Sequence, residues 1–231
     1  MFALTPAEWT AITLSLKVAA VATAVALPFG VAVAWMLARK NFPGKALIDG
    51  LVHLPLVLPP VVTGYLLLIW FGQKGALGAP LANYFGIVFS FRWTGAALAC
   101  GIMGFPLMVR AMRLSFEALD RKLEDAAATL GANRTWSFFT VALPLALPGI
   151  IAGAILCFAK ALGEFGATIT FVSNIPGQTQ TISTLIYTYT QVPSGDEPAM
   201  RLVIVSIVIS LAALLVAEWF SRRASARFHG D

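Results

Sequence analysis

Ala11–Ala38 reads AITLSLKVAAVATAVALPFGVAVAWMLA, twenty-eight residues in which Lys17 is the one charge. About 20 mostly apolar residues suffice to cross roughly 30 Å of hydrocarbon as a helix, so this stretch reads as a membrane span. No Lys or Arg precedes Lys17, and the run is too long for the apolar core of a cleavable signal. It is expected to stay in the membrane as the first span, with Lys17 near enough to the outer surface to snorkel. Four more segments qualify: Leu51–Phe71, Thr94–Val109 with its flanks, Gly149–Val172 and Arg201–Phe220. The whole chain agrees, being 58% hydrophobic and 12% charged, where soluble domains carry roughly a quarter charged residues. A soluble fold of 231 residues could not hide this much apolar surface, so membrane lipid is a partner. The sequence predicts an all-α polytopic membrane helical bundle.

Proline placement refines that expectation. The second segment holds Pro55, Pro59 and Pro60, and the third holds Gly104 and Pro106. Proline frees carbonyls that lipid cannot satisfy but neighbouring helices can. Kinked or broken helices lining something are therefore expected in both.

Charge gives orientation. Arg39, Lys40 and Lys45 follow the first span, and Arg110, Arg113, Arg121, Lys122 and Arg134 follow the third. Arg222, Arg223 and Arg227 follow the fifth, whereas the other side has only Lys74, Arg92 and Arg201. The positive-inside rule then places the N-terminus outside and the C-terminus in the cytoplasm. A sixth span in Ala76–Phe91 would be short and would spoil this alternation. The net charge of +5 is thus a topology signal, and no nucleic-acid partner is expected.

Two loops are more than connectors. The cytoplasmic stretch Arg110–Pro148 has Leu114, Leu119, Leu123 and Ala127 near helical spacing. The external stretch Ser173–Met200 is polar, but its middle, Thr181–Tyr189, is apolar enough to dip back as a short helix.

The residues carry no catalytic constellation. No phosphate-cradling G-x-x-x-x-G-K-[ST] occurs, so ATP hydrolysis by that route is outside this chain. Cys100 and Cys157 sit in apolar runs without a ligand set, which indicates packing, and no metal or cofactor site is expected. Lys160 and Glu164 lie four apart in the fourth segment, spaced to share a helical face. Charges at membrane depth cost a few kcal/mol each and normally pair inside a bundle. Two readings stand: a self-neutralising structural pair, or an element of a pathway or gate.

The cytoplasmic loop holds the strongest local signal. Glu124, Asp125, Ala126 and Ala127 form a short helical stretch with small residues on one side, stopped by Gly131 as a C-terminal cap. An aromatic segment follows, then Val141, Leu143 and Pro144. By pattern alone this could be a membrane-surface amphipathic helix. The spacing resembles the EAA loop of binding-protein-dependent ABC importer permeases: an acid-Ala-Ala triplet, three residues, Gly, nine residues, an aliphatic, one residue, Leu-Pro. Asp125 stands for the usual Glu and Val141 for the usual Ile. In that family the loop's helix docks on a cytoplasmic ATPase and transmits its motion. The resemblance thus marks Glu124, Asp125, Ala126, Ala127, Gly131, Val141, Leu143 and Pro144 as the coupling loop, at about residues 110–148 of a single permease domain spanning 1–231.

A narrower resemblance covers nearly the whole chain. The run from His53 through Pro59 and Pro60 to Tyr65 is similar to the second span of molybdate importer permeases, and so is Leu162–Phe171 followed by Ser173–Gly177. The Leu-Gly-Glu-Phe-Gly-Ala part is shared with sulfate and thiosulfate permeases, the alternative reading. The resemblance implies a type I ABC importer permease core with about five spans per subunit, importing molybdate and also tungstate by alternating access. It also implies a homodimer, cytoplasmic ABC ATPase subunits that hold ATP and magnesium, and an external molybdate-binding protein in the periplasm or on a lipid anchor. Pro59, Pro60, Lys160, Gly163, Glu164, Gly166 and Thr168 are the pathway or gate candidates, all but Lys160 within those matching runs.

Overall fold

The computed structural model describes residues 4–228, and His229 and the side chains of Arg222, Arg223 and Arg227 lie outside what it describes. The described residues contain helices and no strand. Helix α1 (Pro6–Arg39) begins at a reciprocal cap, in which Thr5 Oγ1 accepts from Glu8 N–H and Glu8 accepts from Thr5 N–H. Helix α2 (Lys45–Val57) and helix α3 (Pro60–Phe71) meet at a bend of 113°. The cause is local. Neither Pro59 nor Pro60 can donate a backbone hydrogen bond, and each pushes its predecessor out of the helical region. Leu58 and Pro59 accordingly have ψ of 142° and 133°.

Helix α4 (Gly78–Phe85) is one short turn-rich segment of 8 residues ending at Gly86 with φ +66°. At 1.5 Å per residue it spans about 12 Å, too little to cross, so Ala76–Phe91 supplies no sixth span. Helix α5 (Trp93–Ala118) is central, packed against α1, α2, α3 and α10 (Gly166–Val172) as well as α9 (Leu147–Leu162). It runs unbroken through Pro106, so the third span is not one of the broken ones. Pro106 and most of its neighbours on α5 are buried, and close packing holds the helix through the missing hydrogen bond. Gly104 lies against Cys157, and Gly153 against Met108, so α5 and α9 approach more closely than side chains would allow.

Past α5 come α6 (Arg121–Thr129), α7 (Arg134–Ser137), a π-helical turn (Phe138–Ala142) and α8 (Leu143–Leu145). The segment Arg110–Ala118 continues α5, so the loop proper is shorter than the sequence suggested. The pair Arg134–Leu145 and α9 is bent by 70°. The fourth span is also not one helix to Val172: α9 stops at Leu162, and α10 resumes after Gly163–Phe165. Helix α11 (Ile182–Thr190) is the short helix expected between the fourth and last spans, and α12 (Asp196–Phe228) is the last span.

Among the described residues three helices, α1, α5 and α12 up to Val216, are long and apolar enough to cross a membrane, and the number rises to five with each bent pair taken as one span. The core has an outer part around Met103 and Phe171, an inner part around Met112 and Phe116, and a small outer cluster joining α1, α11 and α12. Outside it, Val25, Phe29, Val208, Leu211 and Leu215 are exposed, as a belt facing lipid requires.

Candidate functional site

Two places carry the residues singled out by sequence. The first is the loop between α5 and α9. Asp120 caps α6 by accepting from Lys122 N–H at 3.0 Å. At the other end Gly131, at φ +86°, donates to Ala128 O, and Ala132 donates to Ala127 O, both at 3.0 Å. That pair of bonds is a Schellman cap, which needs the left-handed residue that glycine supplies without strain. Asn133 then caps α7 through Trp136 N–H at 2.8 Å.

The inner side of this unit is anchored. The Phe138 ring meets Trp35 edge-on at 5.2 Å and stacks on Phe116 at 6.3 Å. Leu143 packs on the inner core, and Ala142 and Ala146 are fully buried. Val141 and Pro144 are half-buried beside them. The outer side is apolar and open, with Leu130 90% exposed and Leu123, Trp136 and Phe139 also exposed. Asp125 and Ala126 are exposed on α6, and Ala127 is half-buried. Ala127, Leu130, Ala132, Trp136 and Thr140 line a shallow recess of about 320 Å³ around Gly131. Glu124 does not share that face: its carboxylate pairs with Arg39 at 2.7 Å.

The second place is where the two helix breaks meet. Glu164 is not inside a helix but in the gap between α9 and α10. Its Oε2 pairs with Lys160 Nζ at 2.8 Å, and its Oε1 accepts from Ala167 N–H at 3.0 Å. The carboxylate side chain is 1% exposed and the lysine side chain 31%. Glu164 thus serves both as counter-ion and as cap for the first turn of α10, which favours an anion there. Thr168, buried one turn on, donates to Phe165 O at 2.9 Å.

Helix α10 lies directly on α3. Gly64 faces the backbone of Ala167, and Gly166 faces Pro60, with no room for a side chain at either glycine. The structure therefore brings Pro60, Glu164, Gly166 and Thr168 into one junction. Lys160 and Gly163 stand at its edge, Gly163 and Pro59 being exposed. Ser173, just past α10, is held at φ +65° and ψ −164°, a region that strains any side chain.

Sequence reading missed the ion pairing of three arginines. Arg201 on α12 reaches fully buried Glu8 at 3.0 Å, although the Thr5-x-x-Glu8 pattern before an apolar run signalled the cap that Glu8 completes. Arg113 on α5 joins Asp49 of α2 at 2.9 Å and Glu117 at 2.7 Å. The third is Arg39–Glu124. These partners are distant in sequence, except Glu117, four residues on. Lys17, expected to snorkel, sits 3.8 Å over the Trp93 ring, a cation–π contact at the start of α5.

Residues 26–226 match the family model of binding-protein-dependent transport system inner membrane components. The chain is 58% identical over 219 residues to the molybdenum transport system permease protein ModB of Escherichia coli K12, covering 95% of this chain and 96% of that one. It is 55% identical over 216 residues to ModB of Haemophilus influenzae, covering 94% of each. Similarity to the sulfate transport system permease protein CysT of Escherichia coli K12 is lower, 39% over 188 residues, covering 81% of this chain and 66% of that one. Among solved structures, a chain of a bacterial alginate ABC transporter in complex with alginate pentasaccharide-bound periplasmic protein superposes with TM-score 0.74. That likeness covers 95% of this chain and 80% of the other at 18% identity, and it concerns the fold.

Proposed function

The chain belongs to the binding-protein-dependent transport system inner membrane components, and from that premise we propose that it is the permease subunit of an ATP-driven molybdate importer. The observation that carries the reading is the 58% identity to a molybdenum permease along almost the full length of both chains, against 39% over a shorter stretch for the sulfate protein. Tungstate, matching molybdate in charge and size, is carried as well. Two copies of this chain surround the path, two cytoplasmic ATPase subunits bind ATP and magnesium, and an external binding protein delivers the anion. The N-terminus is outside and the C-terminus cytoplasmic, as the charge asymmetry requires.

The coupling surface is the exposed side of α6 and α7. Asp125 offers a carboxylate to a basic group of the ATPase, while Leu130 and Trp136 supply apolar contact. Gly131, Val141, Leu143 and Pro144 fix the angle at which that surface is presented. The pathway element is the junction of the two breaks. Interrupted backbone at membrane depth is tolerated where it is buried in protein or lines a water-filled cavity. Lys160, partly exposed, meets the dianion, and Glu164 keeps the lysine from holding it, because conduction needs a site weak enough to leave. Pro59, Pro60, Gly163, Gly166 and Thr168 shape the two breaks and let them move.

The reading is tested in cells lacking their own molybdate uptake, supplied with this chain, its ATPase and its binding protein. Radiolabelled molybdate should accumulate and be displaced by tungstate, with sulfate a poor competitor. Displacement by sulfate or thiosulfate at equal concentration would assign the chain to those anions instead.

A further inference from the structure

Within this transport reading, on which the inference rests, we infer that Arg39 is a positioning residue that ties the coupling helix α6 to the cytoplasmic end of α1. Its side chain is 8% exposed, an unusual burial for arginine, and it is shared between two points of the loop. One guanidinium nitrogen lies 2.7 Å from Glu124 on α6 and 3.1 Å from the Leu119 carbonyl that ends the α5 connection. One turn earlier, Trp35 meets Phe138 in the π-helical turn. Helix α1 therefore grips the loop at both of its halves, by charge at α6 and by ring contact after α7.

The consequence is a route for motion. A pull on α6 reaches α1 directly through an ion pair, and does not have to pass along the chain through α8 and the bend before α9. α1 packs along α5 and α9, and its Val18, Ala19 and Ala22 share a core cluster with Ala161 and Ala167, which flank the break in the fourth span. Glu124 is thereby occupied inside the subunit, which leaves Asp125 as the exposed acid on α6 itself.

The test uses the full complex of this chain with its ATPase and binding protein in proteoliposomes, reading molybdate taken up per ATP hydrolysed. Glu124→Gln and Arg39→Met should assemble yet lower that ratio several-fold, up to about thirtyfold, and Arg39→Lys should keep most of it. Glu124 is partly exposed, so Glu124→Gln decides the matter even if Arg39→Met fails to reach the membrane. A wild-type ratio in Glu124→Gln overturns the inference, and so does equal loss in Arg39→Lys and Arg39→Met, which would assign the effect to packing of the stem. If the unaltered complex shows no ATP-driven uptake, the transport reading itself falls and takes this inference with it.

Discussion

Gly131 and Glu164 each do one local thing that a substitution can isolate. Gly131 closes α6 in a left-handed conformation with open space around its Cα, so a side chain there meets strain and no clash. Gly131→Val should cost about 1 kcal/mol or more at that turn and tilt the exposed face of α6. The protein should insert normally, while ATPase co-purification and uptake fall together; normal uptake by inserted Gly131→Val would contradict the coupling role. The Lys160–Glu164 pair needs a cycle of variants. Removing Lys160 strands the buried Glu164 carboxylate and should destabilise by about 3–5 kcal/mol, whereas Lys160→Met with Glu164→Gln strands no charge. The double variant should assemble but transport poorly, and wild-type uptake at matched expression would reduce the pair to a packing device. Gly131 was legible in the sequence because a cap is a local pattern. The pairing of Glu124 was not, because its partner Arg39 lies at the end of a different span and ion pairing across the fold leaves no periodic trace.

The elements that matter most are the broken ones, and they differ in how they announce themselves. Adjacent prolines forbid a continuous helix, so the break between α2 and α3 could be read from Pro59 and Pro60. The break between α9 and α10 contains no proline and stayed hidden within an apolar run. Its signals were weaker: Gly163 and Gly166 around a carboxylate that, in the gap, accepts an N–H from the first turn of α10. Pro106 does not break its helix, since tight packing around α5 keeps it continuous. The α3–α10 crossing gives an element-scale test. A Cβ at Gly64 would lie 2.5 Å from Ala167 O and 2.9 Å from Thr170 Cβ, mostly backbone that cannot yield easily. Gly64→Val should therefore separate the helices and destabilise by about 1–3 kcal/mol. A lowered Tm in detergent with reduced uptake is the expected result; an unchanged Tm would show that the crossing is looser than its geometry implies.

At the scale of the molecule, the apolar exposed belt and the five-span pattern follow from composition, and the spans were legible because lipid allows few solutions. Orientation is a separate claim resting on charge. With Cys100 and Cys157 replaced by Ala, a membrane-impermeant thiol reagent outside intact cells should label Thr5→Cys and leave Asn133→Cys unlabelled. Both positions are exposed, so labelling of Asn133→Cys would reverse the topology. The central claim is that this chain is the conduit of an ATP-driven molybdate importer, and one measurement reaches it most directly. Proteoliposomes holding this chain and its ATPase, with ATP and magnesium on the ATPase side and binding protein on the other, are given radiolabelled molybdate. Accumulation should require ATP, the binding protein and this chain together, and should halt when ATP is replaced by a non-hydrolysable analogue. Molybdate entry that proceeds without ATP or the binding protein, or no entry with all components present, would contradict the account.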